Sequence, residues 1–309
     1  MTHLRFSAAL VAGLAATPLS AQHSHSLVGH TQHDTLCQSA APPWAQLDDA
    51  ARAQLRAVQA SAAAFTSVDA ARAAGFRPVL GLIPTMGVHY VNPQRVRRGL
   101  DLAEPDHLLF APVNGEEKLV GIAYAFRHAP DDPVPDAFYG DGDHWHDHPS
   151  LAAPGRTLTV LHVWFVPSPD GPFAGHNPWL PFYAVGLEPP DACSIRSEAE
   201  SVRVRKLALA LSETVEPLRL ATVLARSLDD DGAAELVRRR EQARALIPRL
   251  RAAQEARDRA AWDVAAAEGA AAWDAIRSTY LGAVRLPRLR FELQQFLDEL
   301  VTPNAHGQH

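Results

Sequence analysis

The sequence predicts an α+β protein: a small antiparallel sheet with long proline- and glycine-rich loops, followed by an α-helical, bundle-like region. Three observations carry that expectation. Aliphatic and aromatic runs with strand character are confined to the middle of the chain, and Asn114-Gly115 separates two of them, a dipeptide that favours a tight hairpin. The segments around those runs are rich in proline and glycine, as in residues 129–135, 140–149 and 167–181. Beyond about residue 191 the chain turns to Ala, Leu, Arg and Glu at helical spacing.

Taken in order, residues 1–21 have the form of a secretory signal. Arg5 supplies a thin positive start, residues 7–16 are apolar, and Thr17-Pro18-Leu19-Ser20-Ala21 offers small residues for cleavage after Ala21. The apolar run falls short of the ~20 residues that a spanning helix needs, so the mature chain is expected to be periplasmic or secreted and not membrane-spanning. Residues 22–46 place His23, His25, His30 and His33 among Ser, Thr, Gln and Pro with no apolar period. That tract reads as a flexible tail, either a solubilising linker or a loose gatherer of transition metals.

Residues 47–190 read as the α+β unit that holds a metal. It opens with a helix over 47–65, with Asp48 and Asp49 in its first turn, and a short second helix from Thr66-Ser67-Val68-Asp69 to a cap at Gly75. Strands are expected over 107–113, 118–126 and 157–166. The last is apolar on both alternating faces, which makes it central and covered on both sides. Residues 191–302 form the helical region, with helices over 193–214, 216–228, 232–246, 248–280 and 287–301, and residues 303–309 are a second flexible tail. Trp262 and Trp273, eleven residues apart, fall on one helix face and predict a packing seam.

Composition removes several function classes. With a net charge of −6 and no basic run, the chain has no electrostatic footprint for nucleic acid. There is no G-x-S-x-G elbow, no phosphate-cradling glycine loop and no H-E-x-x-H. Cys37 and Cys193 match neither C-x-x-C nor a haem-attachment motif. In an oxidising compartment the two are expected to pair, and the loop-entropy model values such a long bridge at ~4–5 kcal/mol.

What remains is histidine. His144-Trp145-His146-Asp147-His148 is the densest set of metal donors in the chain, and in an extended segment His144, His146 and His148 point to one side. Two more histidines lie in apolar surroundings, His89 in Met86-Gly87-Val88-His89-Tyr90 and His162 in Val160-Leu161-His162-Val163-Trp164. His89 is expected near a turn, between Gly87 and Asn92-Pro93. The five imidazoles predict a mononuclear centre for a divalent transition metal, with Asp143, Asp147 and Tyr90 as partners that orient the ligands. Zinc is favoured over copper because a three-histidine set serves it without thiolate or methionine.

Such a centre suits a metal-dependent hydrolase or oxidase, or a metal-delivery protein without turnover. The competing reading is a metal-free scaffold in which Trp145, Trp164, Phe173, Trp179 and Phe182 line a pocket for a small molecule.

Met86-Gly87-Val88-His89-Tyr90-Val91-Asn92-Pro93, Leu161-His162-Val163-Trp164, and Asp170-Gly171-Pro172-Phe173-Ala174 with Asn177-Pro178 resemble an uncharacterised family of exported proteins sharing M-G-x-H-Y-x-N-P and L-H-x-W motifs. The resemblance covers residues 75–187 or so and departs from the pattern at Ser168, where an Asn-Pro pair is expected. It implies one folded unit and carries no activity with it. The helical half lies outside it.

Overall fold

The structure is a computed structural model that describes residues 47–79, 81–139, 143–148, 152–191, 194–215 and 228–303. The expected signal, the His-rich tail, Cys37, Cys193 and most of the helix expected over 216–228 lie outside the described residues. Among the described residues, no helix is long and apolar enough to cross a membrane.

Helix α1 (Asp49–Ala62) starts where Asp48 accepts the Ala51 N–H at 2.8 Å. It turns Leu55, Val58 and Ala62 inward. Helix α2 (Val68–Ala73), capped by Ser67, stops at Gly75, whose φ of 92° few other residues tolerate. The sheet follows, with β1 (Arg77–Pro78), β2 (Val88–Val91), β3 (His107–Val113), β4 (Glu116–His128), β5 (Trp145–Asp147) and β6 (Thr157–Trp164). Its order is β1-β2-β3-β4-β6-β5, antiparallel throughout. The expected hairpin is present: Asn114 and Gly115 take φ of 54° and 80°, as a two-residue turn between twisted strands requires. All eight residues of β6 are buried.

Two local expectations change. His89 is not a turn residue but lies within strand β2. The turn falls before it, at Gly87, where an added Cβ would stand 2.5 Å from the Phe110 carbonyl oxygen. Asn92-Pro93 starts helix α3 (Pro93–Arg98) rather than a turn, with Asn92 Oδ1 accepting from Gln94 N at 3.0 Å and proline at a position that needs no N–H.

Alternation gives the sheet two different faces. One packs Tyr90, Leu108, Phe110, Ile122, Tyr124, Leu161 and Val163 against the first two helices. The other carries His89, His107 and His162, with Gly121, Ala123 and Ala125 of β4 between them in register. At Gly121 a Cβ would meet the Val163 carbonyl oxygen at 2.7 Å, so β6 lies close over this point.

Beyond the sheet come α4 (Leu180–Ala184), α5 (Glu198–Val215), α6 (Asp230–Glu255), α7 (Arg259–Ala283) and α8 (Pro287–Glu299). The break expected before Pro248 does not occur. Pro248 lies inside α6, where buried Leu246 and Leu250 on either side hold the helix together, and the chain turns instead at Arg257, with φ 53°, and Asp258, which caps α7. Trp262 and Trp273 are both buried, as a packing seam predicts, though they serve two neighbouring clusters. The sheet's last loop is fastened to the helices by a buried ion pair, Arg205 Nη2 to the two Asp170 oxygens at 2.6 and 2.8 Å.

Candidate metal centre

Strand register decides which imidazoles can meet. On β2, His89 is flanked by Val88 and Tyr90, which face the opposite side. On β6, His162 pairs with Ala123 of β4, and Val160 pairs with both Ala125 and His146. β2 and β6 are three strand spacings apart, ~14 Å in a flat sheet. Yet the His89 and His162 Nε2 atoms lie 3.2 Å apart, so the sheet curls with this face inward, and the glycine and alanines of β4 leave the space into which the rings lean.

The rings gather around that contact. His89 and His162 have centroids 5.4 Å apart at 73°, and His146 stacks on the other side of His162 at 4.9 Å and 22°. His148 meets His146 edge-on at 4.9 Å, and His144 lies 6.3 Å from His146. Three of the expected ligands, from β2, β5 and β6, thus come together across long sequence gaps. His144 sits at the margin of the group.

The expected partners fare differently. Tyr90 is on the other face of the sheet, its ring 5.4 Å from Phe110, because neighbouring residues on a strand point opposite ways. Asp143 accepts from the Ala137 and Phe138 N–H groups at 2.7 and 3.0 Å and so secures a loop rather than an imidazole. Burial raises its pKa against the pull of those two donors. Asp147 is exposed and accepts from the Thr159 hydroxyl, which also contacts His128 Nε2 at 2.7 Å.

Two other histidines join the group unannounced by the sequence reading. His107 opens β3 on the same face, its ring 6.2 Å from that of His89, with Nδ1 2.5 Å from Asp106 Oδ1. His176, in the loop after β6, contacts the Thr85 hydroxyl through Nδ1 at 3.0 Å. The Asp-His dipeptide at a strand start and the Gly-His-Asn-Pro string were the available signals, but neither has metal-ligand spacing.

Electrostatics keep the central pair neutral. Burial pushes His89 down to about 3, and His107, His148 and His176 oppose a further positive charge. Burial likewise holds His162 well below the ordinary imidazole range, reinforced by His146, His89, His176 and His148. Neutral imidazoles keep lone pairs for a cation at pH 7. Between themselves the two rings can make only one N–H···N bond, and the Nδ1 atoms of both are buried with no hydrogen-bond partner among the described residues.

Two nitrogens at 2.0–2.1 Å from one tetrahedral ion are about 3.3 Å apart, close to the separation observed here. Among the described residues, however, no three His, Cys, Asp or Glu side chains are already disposed to hold a metal. The stacking of His146 on His162 explains part of that, since a stacked ring offers its face and not its in-plane lone pair. A third nitrogen from this ring would require a side-chain rotation. The aromatics expected to line a pocket are divided among packed clusters: Phe173 with the first helices, Trp164 beneath α4, Trp179 and Phe182 among the long helices. No family model, curated protein or solved structure matches this chain.

Proposed function

We propose that this is an exported metal-binding protein whose β-rich half holds one divalent transition-metal ion, zinc in preference to copper. His89 and His162 are the primary donors, and His146 or His148 supplies a third nitrogen after rotation. The observation that carries the reading is the pair of buried, neutral imidazoles with Nε2 atoms 3.2 Å apart, from strands that a flat sheet would separate. A cation at that point uses two lone pairs where the bare protein satisfies one. Burying polar atoms without partners costs about 1–3 kcal/mol each, so the cluster is an expensive arrangement for structure alone.

Three imidazoles around zinc leave a fourth position for water, which such an ion brings to a pKa near 7 for hydrolysis or hydration. A second reading, delivery without turnover, is favoured by His23, His25, His30 and His33 in the preceding tract. The test is elemental analysis of the full exported chain, purified without an affinity tag of histidines. About one equivalent of zinc is expected, retained when the four tail histidines are replaced by serine and lost in His89→Ala and His162→Ala. Binding of neither Zn²⁺ nor Cu²⁺ below about micromolar, roughly −8 kcal/mol, would end the proposal. Ester hydrolysis or oxygen uptake that depends on His162 and not on the tail histidines separates an enzyme from a carrier.

A further inference from the structure

We infer that His107, oriented by Asp106, is the third imidazole on the same cation, in place of His146 or His148, so that the centre closes over Ala123 as its floor. The inference rests on the metal reading above and adds a residue pair with no place in it so far.

The register supplies the geometry. Ala123 of β4 has His107 as its partner on β3 and His162 as its partner on β6, so the three lie in one row across the sheet with side chains on one face. In that row the side chain between the two imidazoles is the Ala123 methyl. His89 pairs with Leu109, two residues further along β3, which sets it diagonally from His107, with the rings at 82° to each other. His89, His107 and His162 therefore form a triangle above the Ala123 methyl.

The chemistry of Asp106 supplies the direction. Asp106 is 2% exposed. Its two oxygens accept from the Ala125 N–H at 3.2 and 3.1 Å, and Oδ1 lies 2.5 Å from His107 Nδ1. A carboxylate oxygen facing Nδ1 favours the tautomer with the proton there, which leaves the lone pair of His107 on Nε2, at the far edge of the ring. A carboxylate behind a histidine in this way fixes its tautomer and makes it a better donor, the arrangement that metal-ligating histidines commonly adopt. His89 and His162 have no such partner on Nδ1 among the described residues.

The test is competition for Zn²⁺ against a chromophoric chelator, using the full chain, with X-ray absorption to count imidazoles on the bound ion. Asp106→Asn is expected to weaken zinc binding about 10- to 100-fold with the imidazole count unchanged, as loss of an orienting partner does. His107→Ala should weaken it at least as much and lower the count by one. Ala123→Leu, which removes no donor, should also weaken binding by filling the space between the rings. His128→Ala, a buried histidine on the opposite face, should leave affinity within about twofold of the parent. Zinc retained by His107→Ala at parental affinity and imidazole count, with His162→Ala having lost it, would overturn the role of His107 and leave the metal reading standing. A parent chain that binds no zinc removes both.

Discussion

Two buried polar clusters among the described residues are completed in opposite ways. In the helical half Glu213, fully buried, accepts from Arg240 at 2.9 and 3.1 Å and from the Tyr280 hydroxyl at 2.6 Å, while Arg240 also reaches Tyr280 at 2.8 Å. Charge is balanced there and donors meet acceptors. In the sheet half His89 and His162 share one contact and leave both Nδ1 atoms without a partner among the described residues. A network that closes on itself serves the fold. One that stays open is what the proposed cation would complete.

Four predictions bear on that contrast, in order of size. The largest concerns pH. Unfolded histidine titrates near 6.5, whereas burial holds His89 at about 3, so the metal-free protein should be most stable above about 6.5 and lose stability as pH falls towards 3. The expected loss is on the order of 4–5 kcal/mol from His89 alone, followed by denaturant unfolding across that range; a pH profile unchanged in His89→Leu would refute it.

Next, Glu213→Ala strands a partly buried guanidinium and should cost about 3–5 kcal/mol in the same assay, whatever the zinc concentration. A comparable shift comes from the metal. Zinc at about a thousandfold above its dissociation constant should add about 4 kcal/mol to the parent's stability and almost nothing to His162→Ala, read as thermal midpoints with and without the ion.

The smallest effect is the sharpest test of the comparison. The double variant His89→Leu with His162→Leu removes two donors and two acceptors together. Its metal-free stability should match the parent or exceed it by up to about 1 kcal/mol, while zinc binding disappears. A large destabilisation would mean that the imidazoles are structural after all, and closed in a way that resembles Glu213.

Much of the architecture was legible in local chemistry. Asn114-Gly115 specifies its own hairpin, Asp48 and Ser67 cap the helices they precede, and residues 157–164 show their double burial in largely apolar side chains on both alternating faces. The errors came where packing outranked local preference. Pro248 reads as a helix boundary, but buried neighbours on both sides carry α6 through it, and Asn92-Pro93 reads as a turn when it opens a helix.

At the site, strand alternation argues for His146 and His162, and the same alternation sends Tyr90 away from His89. The Asp106-His107 step has no metal-ligand spacing and gains meaning only once β4 lies beside it.

The sequence by itself determined the elements and the donor type: a strand period, turn residues, caps, and a chain with imidazoles where thiolates are scarce. Those are properties of neighbours along the chain, set by backbone sterics and side-chain size. Only the tertiary structure decided which imidazoles meet, because that depends on the register of β4 between β3 and β6, on the curl of the sheet, and on three small residues at 121, 123 and 125 that make room. A distance of 3.2 Å between residues 73 positions apart is a product of pairing across strands, and no local pattern encodes it.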